Sequence, residues 1–163
     1  MLFAFPPPPP TGTYQAKYWN FAPGTTPVVP QTQPIVTRED AEINFDWKEA
    51  APAPQVNANQ FIVQWLRTYT FEDGTYRFTT ISDDGIRVYI DNQFVIDQWN
   101  DHGATTHTGE KTLTAGDHEI KVEFYDNYVD AVAKFSFEKI VGSEPPPPPP
   151  PADQQTIGFD DKA

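Results

Sequence analysis

Two carboxylates stand side by side in Ser82-Asp83-Asp84-Gly85, between two stretches that alternate polar and apolar residues. Adjacent Asp side chains repel one another, and together they offer the hard oxygen donors that Ca²⁺ takes. The same four residues also suit a plain turn, because Asp and Gly are both good turn formers. Calcium takes about six to eight oxygens, so a pair becomes a site only if another segment contributes. The candidate is Asp126-Asn127-Tyr128-Val129-Asp130, which is rich in carboxylate and amide oxygens. If the two loops meet at one end of the molecule, they form an oxygen cage.

Other residues carry weaker signals. Trp99 precedes the polar run Asn100-Asp101-His102 and is either a packing residue or part of a site. His102 and His107 are five apart and could hold a metal, but solvated loop histidines are the expectation. His118 is expected to face solvent, and Glu39, Asp40 and Glu42 to form a charged loop or edge. Trp19, Trp47 and Trp65 lie in strand-like stretches and are expected in or at the rim of the core. No Ser-His-Asp ordering or glycine-rich phosphate loop stands out, and Asp83 and Asp84 are neighbours, not carboxylates opposed across a cleft. The chain is therefore expected not to be an enzyme.

Composition narrows the partners. Lys plus Arg is 11 against 23 Asp plus Glu, a formal net charge of -12. Binding to nucleic acid needs a basic face, and so does docking on an anionic membrane, so neither is expected. There is no cysteine, which excludes disulfides and thiolate metal sites. No apolar run approaches the roughly 18–20 residues that span a bilayer, so no membrane insertion is expected.

The 18 prolines include two runs, Pro6 to Pro10 and Pro145 to Pro151. Each run predicts a polyproline II rod, roughly 15 and 22 Å long. The chain thus divides into a Pro-rich segment at 1–12, a globular region at 13–141 and a Pro-rich linker and tail at 142–163. Inside the globular region the period is two, not 3.6. Strands are predicted at Tyr14 to Trp19, Ile43 to Trp47, Phe61 to Tyr69, Tyr76 to Ile81, Ile86 to Ile90, Gln93 to Ile96, Glu119 to Tyr125 and Ala133 to Glu138. Asp91-Asn92 suits a primed hairpin turn. Pro23 to Arg38 has no pattern and reads as a loop. The fold class is all-β, an antiparallel β-sandwich.

Five blocks in order carry a family resemblance: Phe61-Ile62-Val63-Gln64-Trp65; Asp73-Gly74-Thr75-Tyr76-Arg77-Phe78; Ser82-Asp83-Asp84-Gly85-Ile86-Arg87-Val88-Tyr89-Ile90-Asp91; Ile96-Asp97-Gln98-Trp99; and Leu113 to Tyr125. Together with Asn44-Phe45-Asp46-Trp47 and the opening Tyr14 to Phe21, they resemble the protective-antigen (PA-14) domain. The resemblance implies a β-sandwich of secreted and cell-surface proteins such as adhesins, glycosidases and toxins. In its lectin members an Asp-Asp pair joined by a cis peptide binds Ca²⁺, and an Asn on a second loop completes the site. The ion then holds vicinal sugar hydroxyls. Carried over, the resemblance assigns Asp83, Asp84 and Asn127 to Ca²⁺. Trp99 matches a ligand-stacking tryptophan, and Tyr128, Val129 and Asp130 occupy the segment that selects the sugar. Many members have Gly just before the position of Ala131, where this chain has Val129-Asp130.

The expected function is an extracellular or cell-surface, calcium-dependent carbohydrate-binding module of the adhesin type, with glycans as partners. Two alternatives stand beside it. One is a repeating subunit of an extracellular fibre, a homo-oligomer joined through its proline-rich tails and the strand-like Gln155-Thr156-Ile157-Gly158-Phe159. The other is an accessory domain of a secreted hydrolase.

Overall fold

A computed structural model describes residues 12–140. Both proline runs, the Gln155 to Phe159 segment and the tail contacts of the expected fibre lie outside the described residues. Those residues form ten strands: β1 (Tyr14–Asn20), β2 (Val36–Asp40), β3 (Asn44–Lys48), β4 (Phe61–Phe71), β5 (Gly74–Asp83), β6 (Ile86–Ile90), β7 (Gln93–Gln98), β8 (Thr105–Leu113), β9 (Gly116–Asp126) and β10 (Ala131–Lys139). One antiparallel sheet has the order β2-β1-β4-β9-β6-β7, and the other β3-β10-β5-β8. The β-sandwich expected from the alternation is therefore the observed fold. Between β6 and β7, Asp91 and Asn92 have φ values of 51° and 65°, as a primed hairpin turn requires.

The alternation decides which side chains meet between the sheets. Tyr18, Phe61, Trp65, Phe124 and Ile86 point in from the larger sheet, and Phe78 and Ala133 from the smaller; all are fully buried. Phe45 stacks on Trp47 at 4.5 Å and on Trp65 at 6.1 Å, so aromatic contacts fill much of the gap. A second apolar layer lies outside the larger sheet: Trp19, Ile62 and Tyr125 pack with Phe21, Val29 and Trp99. The Pro-rich segment before β2 covers that layer, and Trp19 Nε1 donates to the carbonyl of Thr32 at 3.0 Å.

Two strands escaped the alternation argument. Val36 to Arg38 belongs to β2, not to a loop, and His107 lies within β8, not in a loop. Both are edge strands with mostly exposed or half-exposed polar residues. Asp40, expected in a charged loop or edge, does end the edge strand β2, but its side chain is buried. Its carboxylate accepts hydrogen bonds from Tyr18 Oη, Trp65 Nε1 and Arg38 Nε, each at 2.8 Å.

His118 likewise departs from expectation. It lies two residues from Ile120, and residues two apart on a strand share a face. Its Nδ1 faces Asp91 Oδ2 at 2.5 Å, its Nε2 faces the carbonyl of Thr114 at 2.8 Å, and its ring meets Phe71 edge-on. With an acceptor at each nitrogen, the ring favours its charged form, and its pKa is raised by the Asp91 and Thr114 hydrogen bonds.

Removing the acceptor at residue 40 leaves two buried donors, Tyr18 Oη and Trp65 Nε1, and the half-buried Arg38 without it. Asp40→Ala is expected to lower the unfolding free energy by about 3 kcal/mol, with Asp40→Asn losing less. Urea denaturation measures both, and a loss under about 1 kcal/mol for the Ala variant would refute a structural role for this carboxylate.

Candidate functional site

The turn between β5 and β6 is tied to the end of β9. The Asp84 amide donates to the Tyr125 carbonyl at 3.2 Å, and the Tyr125 amide to the Gly85 carbonyl at 3.0 Å. A Cβ at residue 85 would collide with the Tyr125 ring, so the glycine after the Asp pair is what lets the turn approach β9. The Asp83-Asp84 peptide is cis. Asp126 follows the parity of Ile120, Val122 and Phe124, so its carboxylate points between the sheets.

Carboxylate oxygens of Asp83, Asp84 and Asp126 thus lie within 4.8 Å of one another. Asp126 is fully buried, and neither of its oxygens has a hydrogen-bond partner among the described residues. Asp84 is better served: Oδ2 accepts the Asn127 amide at 2.8 Å and Oδ1 the His102 amide at 3.1 Å. Burial raises all three acids, and for Asp83 and Asp126 the neighbouring carboxylates add to it. Asp126 is pushed up to about 8 by burial and by the charges of Asp84 and Asp83. Asp83 is pushed up to about 6 by burial and by Asp84. Asp84 is raised by burial, against the opposing effect of its two backbone donors.

A third loop closes the site. Asp101 accepts Tyr125 Oη at 2.6 Å and Asn127 Nδ2 at 3.0 Å. Asn127 Oδ1 receives Gln60 Nε2 at 3.3 Å, and the same Nε2 donates to the Asn127 carbonyl. Asn127 is therefore brought to the cluster by its backbone, while its side chain is held between Asp101 and Gln60. Tyr128, Val129 and Asp130 stand exposed on the rim beside it. Trp99 packs in the apolar layer with Trp19, Ile62 and Tyr125. Arg87 sits 4.3 Å over its ring, Tyr125 meets it at 4.8 Å, and its Nε1 donates to the Pro27 carbonyl.

The sequence offers the Asp126 to Asp130 segment as the second loop without singling out Asp126, and the structure brings that loop to the Asp83-Asp84 turn. The signal was present: a carboxylate at the inward-facing position that follows Ile120, Val122 and Phe124 on one strand. Such a group stays charged inside a protein only beside a counter-charge. The donor set is all oxygen and strongly anionic, which fits a hard divalent cation such as Ca²⁺. The unpartnered oxygens of Asp126 are the observation that argues for one.

The sequence model of the PA14 domain matches residues 11–137. The anti-sigma-I factor RsgI3 of Acetivibrio thermocellus is 35% identical over 99 residues, 60% of this chain and 15% of that protein. The chain thus spans under a sixth of the curated relative it matches. A solved anti-sigma factor domain-containing protein is 28% identical, with a TM-score of 0.68 over 78% of this chain and 43% of its own. A PA14 sugar-binding domain from an RTX adhesin has a TM-score of 0.67 at 20% identity, covering 78% of this chain and 90% of its own.

The raised acids set a pH dependence. A group whose folded pKa exceeds its unfolded value stabilises below the unfolded pKa, and that contribution is lost as pH rises through the folded one. For Asp83 the loss runs from about pH 4 to about 6 and for Asp126 from about pH 4 to about 8; for His118 it begins above about 6.5. Without divalent cations, the melting temperature is expected to fall between pH 5.5 and 9, and Asp126→Asn to flatten the fall. A flat profile in the parent chain would refute the clustering of ionised carboxylates.

Val129 has φ 71°, a conformation costly for a β-branched residue. Val129→Gly is expected to raise stability by about 1 kcal/mol in chemical denaturation. A destabilised variant would refute that assignment of strain.

Proposed function

The chain belongs to the PA14 domain family, and from that premise and the acidic cluster we propose that it is a non-catalytic, calcium-dependent carbohydrate-binding module of the adhesin type, working outside the cell. The observation that carries the reading is Asp126: a fully buried carboxylate with two unpartnered oxygens, within 4.8 Å of Asp83 and Asp84. A bound Ca²⁺ would neutralise these carboxylates and hold two adjacent sugar hydroxyls in its remaining positions. Asp83, Asp84 and Asp126 are the proposed ion ligands. Asn127 is the fourth proposed ligand, and its amide orientation is set by Asp101. Tyr128, Val129 and Asp130 are the proposed sugar-facing rim. In this reading Trp99 supports the rim from below through Tyr125. The likeness to the adhesin sugar-binding domain supports the reading at the level of the fold.

Such a site binds single sugars weakly, and many linked copies raise the avidity. Proline-rich flanks of the sort at Pro6 to Pro10 and Pro145 to Pro151 would space such copies. A second reading rests on the identity to the anti-sigma-I factor: the same module would serve as the sugar-binding part of a regulatory protein. No helix among the described residues is long and apolar enough to cross a membrane.

Calorimetric titration with CaCl₂ is expected to show one saturable site, tighter at pH 8 than at pH 5.5 because protons compete for the carboxylates. Calcium at ~100-fold its Kd should add about 2.7 kcal/mol of stability. Asp126→Asn and Asp84→Asn should each weaken calcium binding at least ~10-fold and abolish retention on a glycan array. Calcium binding that survives both substitutions would overturn the site assignment. Calcium binding without glycan retention would overturn the lectin reading alone.

A further inference from the structure

Two imidazoles that the acidic site does not use lie in and just after the loop between β7 and β8. His107 occupies the half-buried register of β8, directly across from the fully buried Thr80 of β5. Its ring centre is 5.6 Å from that of His102, at an interplanar angle of 72°. His102 Nδ1 lies 2.8 Å from the Gly103 carbonyl oxygen. A carbonyl only accepts, so Nδ1 carries the proton and Nε2 of the neutral ring presents a lone pair. That Nε2 and Nδ1 of His107 are both enclosed, and neither has a hydrogen-bond partner among the described residues. Thr80 Oγ1, across the ladder, is enclosed and unpartnered too.

Enclosed nitrogens without partners are unfavourable, and three such polar atoms in one neighbourhood call for a common explanation. An imidazole whose Nδ1–H is held by a backbone carbonyl is in the form that binds metal through Nε2. Two imidazoles on one tetrahedral ion, with bonds of about 2.0–2.1 Å, place their ring centres about 5 Å apart, close to the observed separation. An ion at that bond length also needs less room than a hydrogen-bonded water at about 2.8 Å. The donors are nitrogen, which suits borderline transition ions, whereas the carboxylate cluster suits hard ones.

We propose that His102 Nε2 and His107 Nδ1 form a second metal site, taking a divalent transition ion of the zinc class and separate from the carboxylate cluster. The two sites touch through the backbone, since the His102 amide donates to Asp84. A transition ion on the His102 ring therefore stiffens the loop that supports Asp84 and Asp101.

The test is zinc titration of the full chain by calorimetry, in the presence and absence of saturating calcium, with imidazole ¹⁵N spectra recorded alongside. One zinc equivalent is expected under both conditions, with shifts at His102 Nε2 and His107 Nδ1 and none at His118. His102→Gln and His107→Gln should each weaken zinc at least ~10-fold, and His107→Gln, which lies outside the carboxylate site, should leave calcium affinity unchanged. The proposal is overturned if zinc leaves those nitrogens unshifted, if calcium displaces zinc, or if both variants bind zinc as the parent does. In the first case the rings are packed edge to face and nothing more. Because calcium is not needed for zinc to bind, failure of the carbohydrate reading and failure of this one are separate results.

Discussion

The arrangement depends on mutual repulsion held in a small space. Three carboxylates within 4.8 Å of each other, one of them fully buried, oppose folding whenever they are ionised together. At an effective dielectric constant near 20, each ionised pair costs roughly 3–4 kcal/mol, a large part of the stability of an ordinary domain. A sequence keeps such a cluster only if protons or a cation neutralise it. Burial and the neighbouring charges raise Asp83 and Asp126, which is the direction that favours the proton solution. The same repulsion is what would make a divalent cation bind.

The frame that forces the carboxylates together is built mostly from backbone. The β5–β6 turn and the end of β9 exchange hydrogen bonds through Asp84, Gly85 and Tyr125, and Asn127 and His102 present amides to Asp84. Tyr125 links the layers: its hydroxyl reaches Asp101, its ring fills the space left by Gly85, and it packs on Trp99 outside the larger sheet. A side chain such as Trp99 can thus matter to the site without touching a ligand. Its resemblance to a ligand-stacking tryptophan and its place in the packing come from the same position in the fold.

The strands of both sheet interiors were legible because a half-buried strand must alternate. Ile120, Val122 and Phe124 are the clearest case. The edge strands β2 and β8 were not, since Val-Thr-Arg-Glu-Asp and Thr-Thr-His-Thr-Gly-Glu-Lys-Thr-Leu bury few apolar groups and so show no apolar period. Polar residues turned inward are less legible. Asp40 and Asp126 look by residue type like parts of a charged edge or a loop, and the expectation that His118 alternates away from Ile120 fails because residues two apart share a face. The Asp83-Asp84 pair was legible because two carboxylates in a turn are conspicuous. Its third partner was hidden because one Asp ending an apolar strand looks like the start of a loop.

Inward polar groups in this molecule are of two kinds, and they are sorted in space. Asp40 and His118 have a full set of partners and serve the fold. Asp126, His102, His107, Thr80 and Ser82 have enclosed atoms without partners. His118 and Asp126 lie on the same strand, eight residues and about 27 Å apart, so one strand carries a satisfied group at one end and an unsatisfied one at the other. Packing error would scatter unpartnered atoms through the interior. They gather instead around the β5–β6 turn, the end of β9 and the start of β8, which is why the proposed oxygen-donor and nitrogen-donor sites both fall at that end.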